Sequence, residues 1–330
     1  MRVAVTGAAG FVGLNVLNEL VGKGHEVRAI DRVTPEVGAP EGIEWQVRDI
    51  LDPAAMREAL DGIDTVLHLV ALITLAEEDP IAWKVNVEGA RTVAEAAHAC
   101  GVRRLVHCSS MHAFNQRTAP DGRLDEASPR SDDPTLPVYD RSKWAGEQAV
   151  QEVISAGLDG VICNPTGVYG PVDYGQLSRF NLLLRSAARG RVPIMVDASF
   201  DFVDVRDVAT GLVSAAEKGR TGENYLLPGH YVSMLDVFRM AADASGHMGP
   251  LFGFSVSRAR QLASIVKPVT SMFKSDIFDD AAFAALDGAP TVDGAKARAE
   301  LGYEPRPAED TVRDLVAFFV ETGQLRRGSG

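Results

Sequence analysis

A tyrosine and a lysine stand four residues apart in the stretch VYDRSKWAGE, residues 138–147. Residues i and i+4 lie on one face of a helix, so Tyr139 and Lys143 would share one site. A free tyrosine titrates near pH ~10, and a lysine ammonium beside it stabilises the phenolate and lowers its pKa. Such a pair can exchange a proton with an alcohol or a carbonyl while a hydride moves to or from a nicotinamide.

Two serines end an apolar stretch upstream of this pair, in LVHCSSMHAF, residues 105–114. A hydroxyl at the carboxyl end of a parallel strand lies in the crevice where such sheets bind ligands. We therefore expect Ser110 to donate to a substrate oxygen and to hold Tyr139 in register. Ser109 is expected to bond the backbone. His112 either faces the substrate or, as is more common for such a histidine, packs or meets solvent.

Three glycines, Gly7, Gly10 and Gly13, stand in VAVTGAAGFVGLNVLNEL, where a predicted strand meets a predicted helix. Glycine lets the backbone approach a ligand closely, and a helix N-terminus offers N–H groups and a positive dipole end to a pyrophosphate. A second predicted strand ends at Asp31, 18 residues beyond Gly13. That is close to the spacing at which an acid bonds the ribose hydroxyls of a dinucleotide. The context therefore predicts a dinucleotide site.

The acid at the end of the second strand also bears on the choice of cofactor. Its carboxylate would repel a 2′-phosphate, so Asp31 favours NAD over NADP. Arg32 follows at once and could accept that phosphate if Asp31 swung aside. Asp49 and Ile50 follow the third predicted strand, where they would contact the adenine or form a solvated strand end. The sequence leaves both readings open.

Short apolar runs alternate with helical patterns in the first half of the chain. Strands are predicted at 2–5, 26–30, 43–47, 64–70, 104–108 and 159–163, and helices near 11–21, 53–60, 83–100 and 139–156. Strands separated by helices indicate βαβ units and a parallel sheet covered on both faces, so we predict an α/β, doubly wound fold. Crevices in such sheets lie outside the carboxyl ends of the strands.

The alternation weakens in the second half. Helical patterns lie at 177–190 and 308–322, and a strand runs into a helix at 200–219. We expect a dinucleotide-binding domain over 1–165 and a smaller, partly interleaved cap over 166–330. Segments near 200–220 are expected to return to the first domain.

Charge and cysteine content exclude several classes of protein. The net charge is −12, from 33 basic and 45 acidic side chains, which gives no support to a nucleic-acid or anionic-membrane partner. Three cysteines are too few and too unpatterned for a disulfide framework or a zinc site, so buried thiols and no metal are expected. No apolar run is long enough to span a bilayer, and the chain enters a strand at once. We therefore expect a cytoplasmic protein with a small-molecule substrate.

The motifs TGxxGxxG, the strand-end acid, SS and YxxxK, in this order and spacing, closely resemble the extended short-chain dehydrogenase/reductase family, within the NAD-dependent epimerase/dehydratase superfamily. The resemblance covers nearly the whole chain, including HLVAL, NPTGVYGP and FVDVRDVA. It implies a Rossmann fold and a catalytic set of Ser110, Tyr139 and Lys143, with a structural role for Asn86. It also implies that Gly7, Gly10, Gly13 and Asp31 hold the adenosine half of the cofactor, that Lys143 bonds the nicotinamide ribose, and that the stretch from Pro165 to Val168 lies near the nicotinamide. Together with Phe11, Arg32, Asp49, Ile50 and Tyr139, these are the expected cofactor-binding residues.

Two branches of this family compete. Nucleotide-sugar epimerases usually carry an asparagine where this chain has Gly167, and an arginine near Ser199 and Phe200 to grip the diphosphate. An apolar stretch at 251–273 suits a hydrophobic substrate or plain core packing. AIDR, at 29–32, resembles 3β-hydroxysteroid dehydrogenases, so we place the chain nearest the 3β-hydroxysteroid dehydrogenase and dihydroflavonol 4-reductase-like branch.

This placement predicts an NAD(P)-dependent dehydrogenase or reductase acting on a secondary alcohol or ketone of a bulky, apolar, steroid- or flavonoid-like substrate. A nucleotide-sugar epimerase or dehydratase with tightly bound NAD is the first alternative. A regulator that senses the dinucleotide without chemistry is the second, although such relatives typically lack the tyrosine. The resemblance also implies a possible homodimer through the helices near 83–100 and 139–156.

Overall fold

A computed structural model describes residues 1–74, 76–258 and 289–326. Its strands are β1 (Arg2–Thr6), β2 (Glu26–Asp31), β3 (Glu44–Val47), β4 (Thr65–His68), β5 (Arg104–Cys108), β6 (Arg123–Leu124), β7 (Gly160–Pro165), β8 (Gly167–Tyr169), β9 (Ile194–Asp197), β10 (Ser199–Asp204), β11 (Asn224–Leu227), β12 (His230–Ser233), β13 (Phe252–Ser255) and β14 (Thr291–Val292). Its helices are α1 (Phe11–Gly22), α2 (Pro53–Leu60), α3 (Pro80–Trp83), α4 (Ala90–Ala99), α5 (Val138–Ser155), α6 (Arg179–Ala188), α7 (Val205–Lys218), α8 (Met234–Ala244), α9 (Ala295–Leu301) and α10 (Ala308–Glu321).

Seven parallel strands form the central sheet, in the order β11-β7-β5-β4-β1-β2-β3. The strands at its centre are apolar and buried on both faces, as parallel strands under covering helices must be. The chain order reverses between β1 and β4, which opens a crevice at the carboxyl ends of these strands. The predicted doubly wound sheet is confirmed. The sequence did not identify β11 as its seventh strand.

Helices cover both faces of this sheet. One apolar core joins α1, α7 and α9 to the sheet, and a second joins α2, α4 and α5 to its other face. Each covering helix places its apolar residues at helical spacing on the side that faces the strands. The sheet is therefore wound on both sides, and the carboxyl ends of its strands remain open.

The helix predicted over 83–100 is divided in the structure. The π-helical turn Lys84–Gly89 separates α3 from α4. The turn directs Asn86 inward, where its Oδ1 accepts from the Leu72 N–H at 2.8 Å and its Nδ2 donates to the Ser142 hydroxyl at 2.9 Å. Asn86 thus fixes the loop after β4 against α5, which is the structural role expected of it.

A second set of elements lies beyond β7. Strands β8, β10 and β12 form a small sheet, and α6, α8 and α10 pack around an aromatic core that includes Tyr169 and Phe202. Of the segment near 200–220, α7 packs against α1 on the main sheet, whereas β10 pairs with β8 and β12. In the apolar stretch 251–273, β13 pairs with β9, and residues 259–273 lie outside the described residues.

Candidate active site

The glycines at the end of β1 are needed for close packing. Gly7 has φ +74°, in the left-handed region, and a Cβ there would lie 3.0 Å from the Val70 nitrogen. A Cβ at Gly13 would lie 2.6 Å from the Ala8 oxygen and closer still to the Gly7 oxygen. Since both obstacles are backbone atoms, only glycine lets α1 start directly against the end of β1.

The N-terminus of α1 is available to an anion. Gly10 is the N-cap, and no side chain caps the first turn. The Asp31 carboxylate accepts from the Ala9 N–H at 3.0 Å and from the Arg32 N–H at 2.7 Å, which places it beside the glycine turn. An uncapped helix end binds a pyrophosphate, and an adjacent acid bonds a ribose, so these residues fit a dinucleotide.

The other cofactor residues expected from the sequence differ in their exposure to solvent. Asp49 is exposed and accepts from the Leu51 N–H at 3.0 Å, whereas Ile50 is buried in the core under α4. Pro165 ends β7 and is buried, and Val168 in β8 is half-buried. Phe11 is half-buried at the first position of α1, and Arg32 is exposed.

Lys143 is anchored at the carboxyl end of β5. Its side chain is buried, and Nζ donates to the Cys108 carbonyl at 3.1 Å. Burial lowers the pKa of Lys143, because desolvation disfavours the ammonium. Glu147 lies one turn further along α5, and its carboxylate offsets part of this lowering of the Lys143 pKa.

Ser110 and Tyr139 meet beside this lysine. Ser110 follows β5 and is buried, and its hydroxyl lies close enough to the Tyr139 phenol to lower the pKa of that phenol. The sequence predicted a phenol acidified by its neighbour, and here the structure differs. Burial raises the pKa of Tyr139, the nearby Ser110 hydroxyl opposes the rise, and Cys108 and Asp140 add to it. Desolvation of the phenolate is the larger effect, because Lys143 is turned towards Cys108.

Ser109 does not behave as expected. Its backbone N–H donates to the Cys163 carbonyl at 2.8 Å, but its buried hydroxyl has no partner among the described residues. The expectation that this hydroxyl bonds the backbone is therefore wrong.

A buried polar network behind Ser110 was not found from the sequence. Asn164 donates to the Ser110 carbonyl at 2.9 Å and to the Glu147 carboxylate. Glu147 also accepts from Arg130 at 3.1 Å and from Asn224 at 3.0 Å. The four side chains come from separate parts of the chain, so no local pattern reveals them. Together they fix the carbonyl of the residue that contacts Tyr139.

A second buried group lies under Lys143. His68 and His107 stack with ring centroids 5.3 Å apart, and His68 Nδ1 bonds the Thr6 hydroxyl at 2.7 Å. Burial, together with a smaller contribution from the charge of Lys143, lowers the pKa of His68 to about 3. The pKa of His107 is lowered well below its usual value for the same reasons. Both imidazoles are therefore neutral at pH 7.

The space beside Gly167, where epimerases usually carry an asparagine, is filled by an aromatic ring. A Cβ at Gly167 would lie 2.7 Å from Cδ1 of Phe202, whose ring stacks on Phe180 with centroids 3.9 Å apart. A longer side chain at Gly167 would therefore displace this stacked pair.

The described residues contain neither a helix suited to crossing a membrane nor a cluster of metal ligands. No helix within residues 1–74, 76–258 and 289–326 combines the length and apolarity that a membrane crossing needs. In the same ranges, no group of three or more His, Cys, Asp or Glu side chains is placed to hold a metal ion.

Comparison with known proteins gives consistent results. The model of the NAD dependent epimerase/dehydratase family matches residues 3–228. The chain is 30% identical to sterol demethylase protein B of Methylococcus capsulatus, over 98% of this chain and all of that protein. It is 29% identical to a 3 beta-hydroxysteroid dehydrogenase/Delta 5-->4-isomerase of Mycobacterium tuberculosis, over 97% of this chain and 90% of that protein.

A solved structure agrees with these relatives. The structure of gox2253 shares 32% identity, covers 98% of this chain and 99% of its own, and superposes with a TM-score of 0.84. The glycine turn, the strand-end acid and the Ser110, Tyr139 and Lys143 constellation occur here on the fold expected for them. The chain therefore belongs to the NAD-dependent epimerase/dehydratase family and is an NAD(P)-dependent oxidoreductase of the extended short-chain type.

Proposed function

We propose that this enzyme transfers a hydride between NAD and a secondary alcohol or ketone of a bulky, apolar, steroid- or flavonoid-like substrate, with Tyr139 as general acid and base. The observation that carries the proposal is the clustering of Ser110, Tyr139 and Lys143 at the carboxyl end of β5: Ser110 lies beside the Tyr139 phenol, and Nζ of Lys143 donates to the Cys108 carbonyl at 3.1 Å. NAD would be held by the glycine turn and Asp31, and when bound it supplies the hydride donor or acceptor.

The chain's own residues then have separate roles. In the reductive direction, Tyr139 gives its proton to the carbonyl oxygen, and Ser110 donates a hydrogen bond to that oxygen as negative charge develops. In the oxidative direction, Tyr139 takes the proton of the alcohol. Lys143 holds a positive charge close to the ionised phenol and would bond the nicotinamide ribose. A raised pKa keeps Tyr139 protonated at pH 7, which is the form that reduction needs.

Preference for NAD over NADP is supported by the strand-end carboxylate. The bonds from Ala9 and Arg32 hold Asp31 at the end of β2. A 2′-phosphate placed there would meet a negative charge. Arg32 is exposed and would accept that phosphate only from outside the turn.

An apolar substrate is supported by the environment of Gly167 and by the relatives. The stacked rings of Phe180 and Phe202 occupy the space that an asparagine at position 167 would need. Ser199 and Phe200 stand where an epimerase would present an arginine, so a diphosphate would lack a charge-assisted bond worth roughly 1.5–3 kcal/mol. Two of the relatives carry names that refer to sterols or steroids.

Two further expectations remain proposals. A homodimer would form through α4 and α5, which pack against each other within one protomer. Light scattering tests this directly, because a dimer doubles the mass of 35.3 kDa. A cytoplasmic location is the other expectation.

The test is a substrate screen with a matched pair of variants. Ketosteroids, flavonoids, β-keto compounds and UDP-sugars are offered with NAD(H) and NADP(H), and net change of the cofactor is followed. Tyr139→Phe should lower turnover by about 10²- to 10⁴-fold and leave the Kd for NAD⁺ near normal. Tyr231→Phe, on exposed β12, should change neither. A Tyr139→Phe variant that keeps most of the activity would overturn the proposal. Conversion of a UDP-sugar without net cofactor reduction would identify an epimerase.

A further inference from the structure

A side-chain hydrogen bond connects the two elements that carry Ser110 and Tyr139. His112 lies in the 3-10 turn Met111–Ala113, whose N-cap is Ser110, and Asp140 directly follows Tyr139. Nδ1 of His112 lies 2.9 Å from Oδ1 of Asp140. The sequence offered two readings for His112, facing the substrate or packing, and this contact gives it a defined partner inside the site.

The direction of this hydrogen bond follows from the chemistry of the partners. Nδ1 also lies 3.3 Å from the amide nitrogen of Gln116, and it cannot donate to Asp140 and accept from Gln116 at once. A carboxylate only accepts, and its contact is the shorter one. His112 therefore donates from Nδ1 to Asp140, and the contact with Gln116 is secondary.

The first turn of α5 needs such a contact. Pro137 is its N-cap and offers no side-chain hydrogen bond, so the N–H groups around Tyr139 lack the usual cap. On another side, the Arg141 guanidinium donates to the Leu136 and Glu77 carbonyls, each at 2.9 Å. The His112–Asp140 bond joins this turn to the 3-10 turn that follows Ser110, and the bond from Lys143 to the Cys108 carbonyl joins the next turn of α5 to the same strand end.

The imidazole also touches the phenol ring. The ring centroids of His112 and Tyr139 lie 5.2 Å apart, with an angle of 59° between the planes. His112 therefore makes two contacts: its Nδ1 bonds Asp140 in the first turn of α5, and its ring restricts the movement of the Tyr139 ring. A displacement of about 1 Å at a reacting group can cost about 10²-fold in rate.

We propose that His112 is a positioning residue for Tyr139: its hydrogen bond to Asp140 and its ring contact hold the phenol in line with Ser110. This inference rests on the proposed role of Tyr139 as the proton-transferring group. His112 makes no proton transfer in it.

Four substitutions separate the hydrogen bond from the charge and from the ring. His112→Phe keeps a ring and loses the donor, whereas His112→Asn keeps a donor at the place of Nδ1 and loses the ring. Asp140→Ala removes the acceptor, whereas Asp140→Asn retains an accepting oxygen without the charge. Gln116→Ala is the control, because it removes only the secondary contact.

The readout is the ¹⁹F NMR spectrum of protein labelled with 3-fluorotyrosine, in which Tyr139→Phe identifies the signal of Tyr139 among the six tyrosines. Asp140→Ala and His112→Phe should each shift and broaden this signal, and the double variant should add little, since both remove one bond. Asp140→Asn and Gln116→Ala should leave it unchanged, and His112→Asn should lie between. The signals of the other tyrosines should not move in any variant, which excludes general unfolding.

Two results would overturn the positioning role: an unchanged Tyr139 signal in His112→Phe and Asp140→Ala, or effects of the two substitutions that add in full. The NMR readout needs no substrate, so it tests the positioning role even if no compound in the screen is turned over. The absence of turnover would instead count against the proposed function. With a 3-ketosteroid that is turned over, kcat should fall about 10- to 100-fold in His112→Phe and recover in part in His112→Asn, with KM within about threefold.

Discussion

Gly13→Ala gives the most direct test of the dinucleotide site, because one added methyl group meets backbone on three sides. It would lie 2.6 Å from the Ala8 oxygen, 2.7 Å from the Ala8 carbonyl carbon and closer still to the Gly7 oxygen. Real Cβ atoms essentially never approach within 3.0 Å. The turn between β1 and α1 must therefore move, and with it the N–H groups that would face the pyrophosphate.

The change in the free energy of unfolding of Gly13→Ala follows from two opposing contributions. Glycine to alanine in a helix interior stabilises by about 0.5–1 kcal/mol, because the unfolded chain loses freedom. Overpacking against atoms that cannot rotate away costs about 1–3 kcal/mol. We therefore expect a net loss of about 1–2 kcal/mol in the free energy of unfolding. A displaced anion site should also raise the Kd for NAD⁺ by about tenfold, which corresponds to about 1.4 kcal/mol.

The same helix provides a matched control. Gly22 ends α1, and a Cβ there meets nothing within 4 Å. Gly22→Ala should therefore leave the Kd unchanged and keep or raise the stability. Urea unfolding and calorimetric titration with NAD⁺ measure both quantities on both variants. The reasoning is refuted if Gly13→Ala unfolds at the wild-type midpoint and binds NAD⁺ within twofold of the wild type.

Three further predictions concern the cofactor, acid stability and the loop after β4. Asp31→Asn keeps an acceptor for the Ala9 N–H but removes the charge, so the ratio of NADP⁺ to NAD⁺ affinity should rise about tenfold in titrations; an unchanged ratio would contradict the role of the carboxylate. The pKa of His68 is about 3 in the folded protein, so the unfolded chain, with a histidine pKa near ~6.5, binds the proton first. The contribution of His68 to the free energy of unfolding is therefore fully present above pH ~6.5 and is lost progressively towards pH 3. At pH 5 the loss from His68 alone should be about 2 kcal/mol. Equal urea midpoints at pH 7 and pH 5 would disprove this prediction. Asn86→Ala removes the bonds to Leu72 and Ser142 and should cost about 2–3 kcal/mol in urea unfolding, whereas Asn18→Ala, which loses one bond within α1, should cost clearly less.

The sequence determined those features of the protein that depend on local chemistry. Gly7, Gly10 and Gly13 were assigned to a turn whose backbone approaches a dinucleotide closely, because glycine has no Cβ, and Tyr139 and Lys143 were placed on one face because helical spacing is fixed. Apolar runs of strand length separated by helical patterns were enough to predict the parallel sheet. Each of these inferences uses residues that are near neighbours in the chain.

Only the tertiary structure decided which distant groups surround these residues. Burial by several elements at once raises the pKa of Tyr139, although the neighbouring lysine alone favoured the opposite direction. Glu147, Asn164 and Arg130 meet behind Ser110, and His112 reaches Asp140, through contacts between segments 17 to 28 residues apart. Such distances along the chain leave no periodic signal, because the contacts are fixed by the packing of α5 on the sheet. For that reason the sequence could place Tyr139 and Lys143 on one helix face, whereas their burial and their contacts with distant segments depend on the fold.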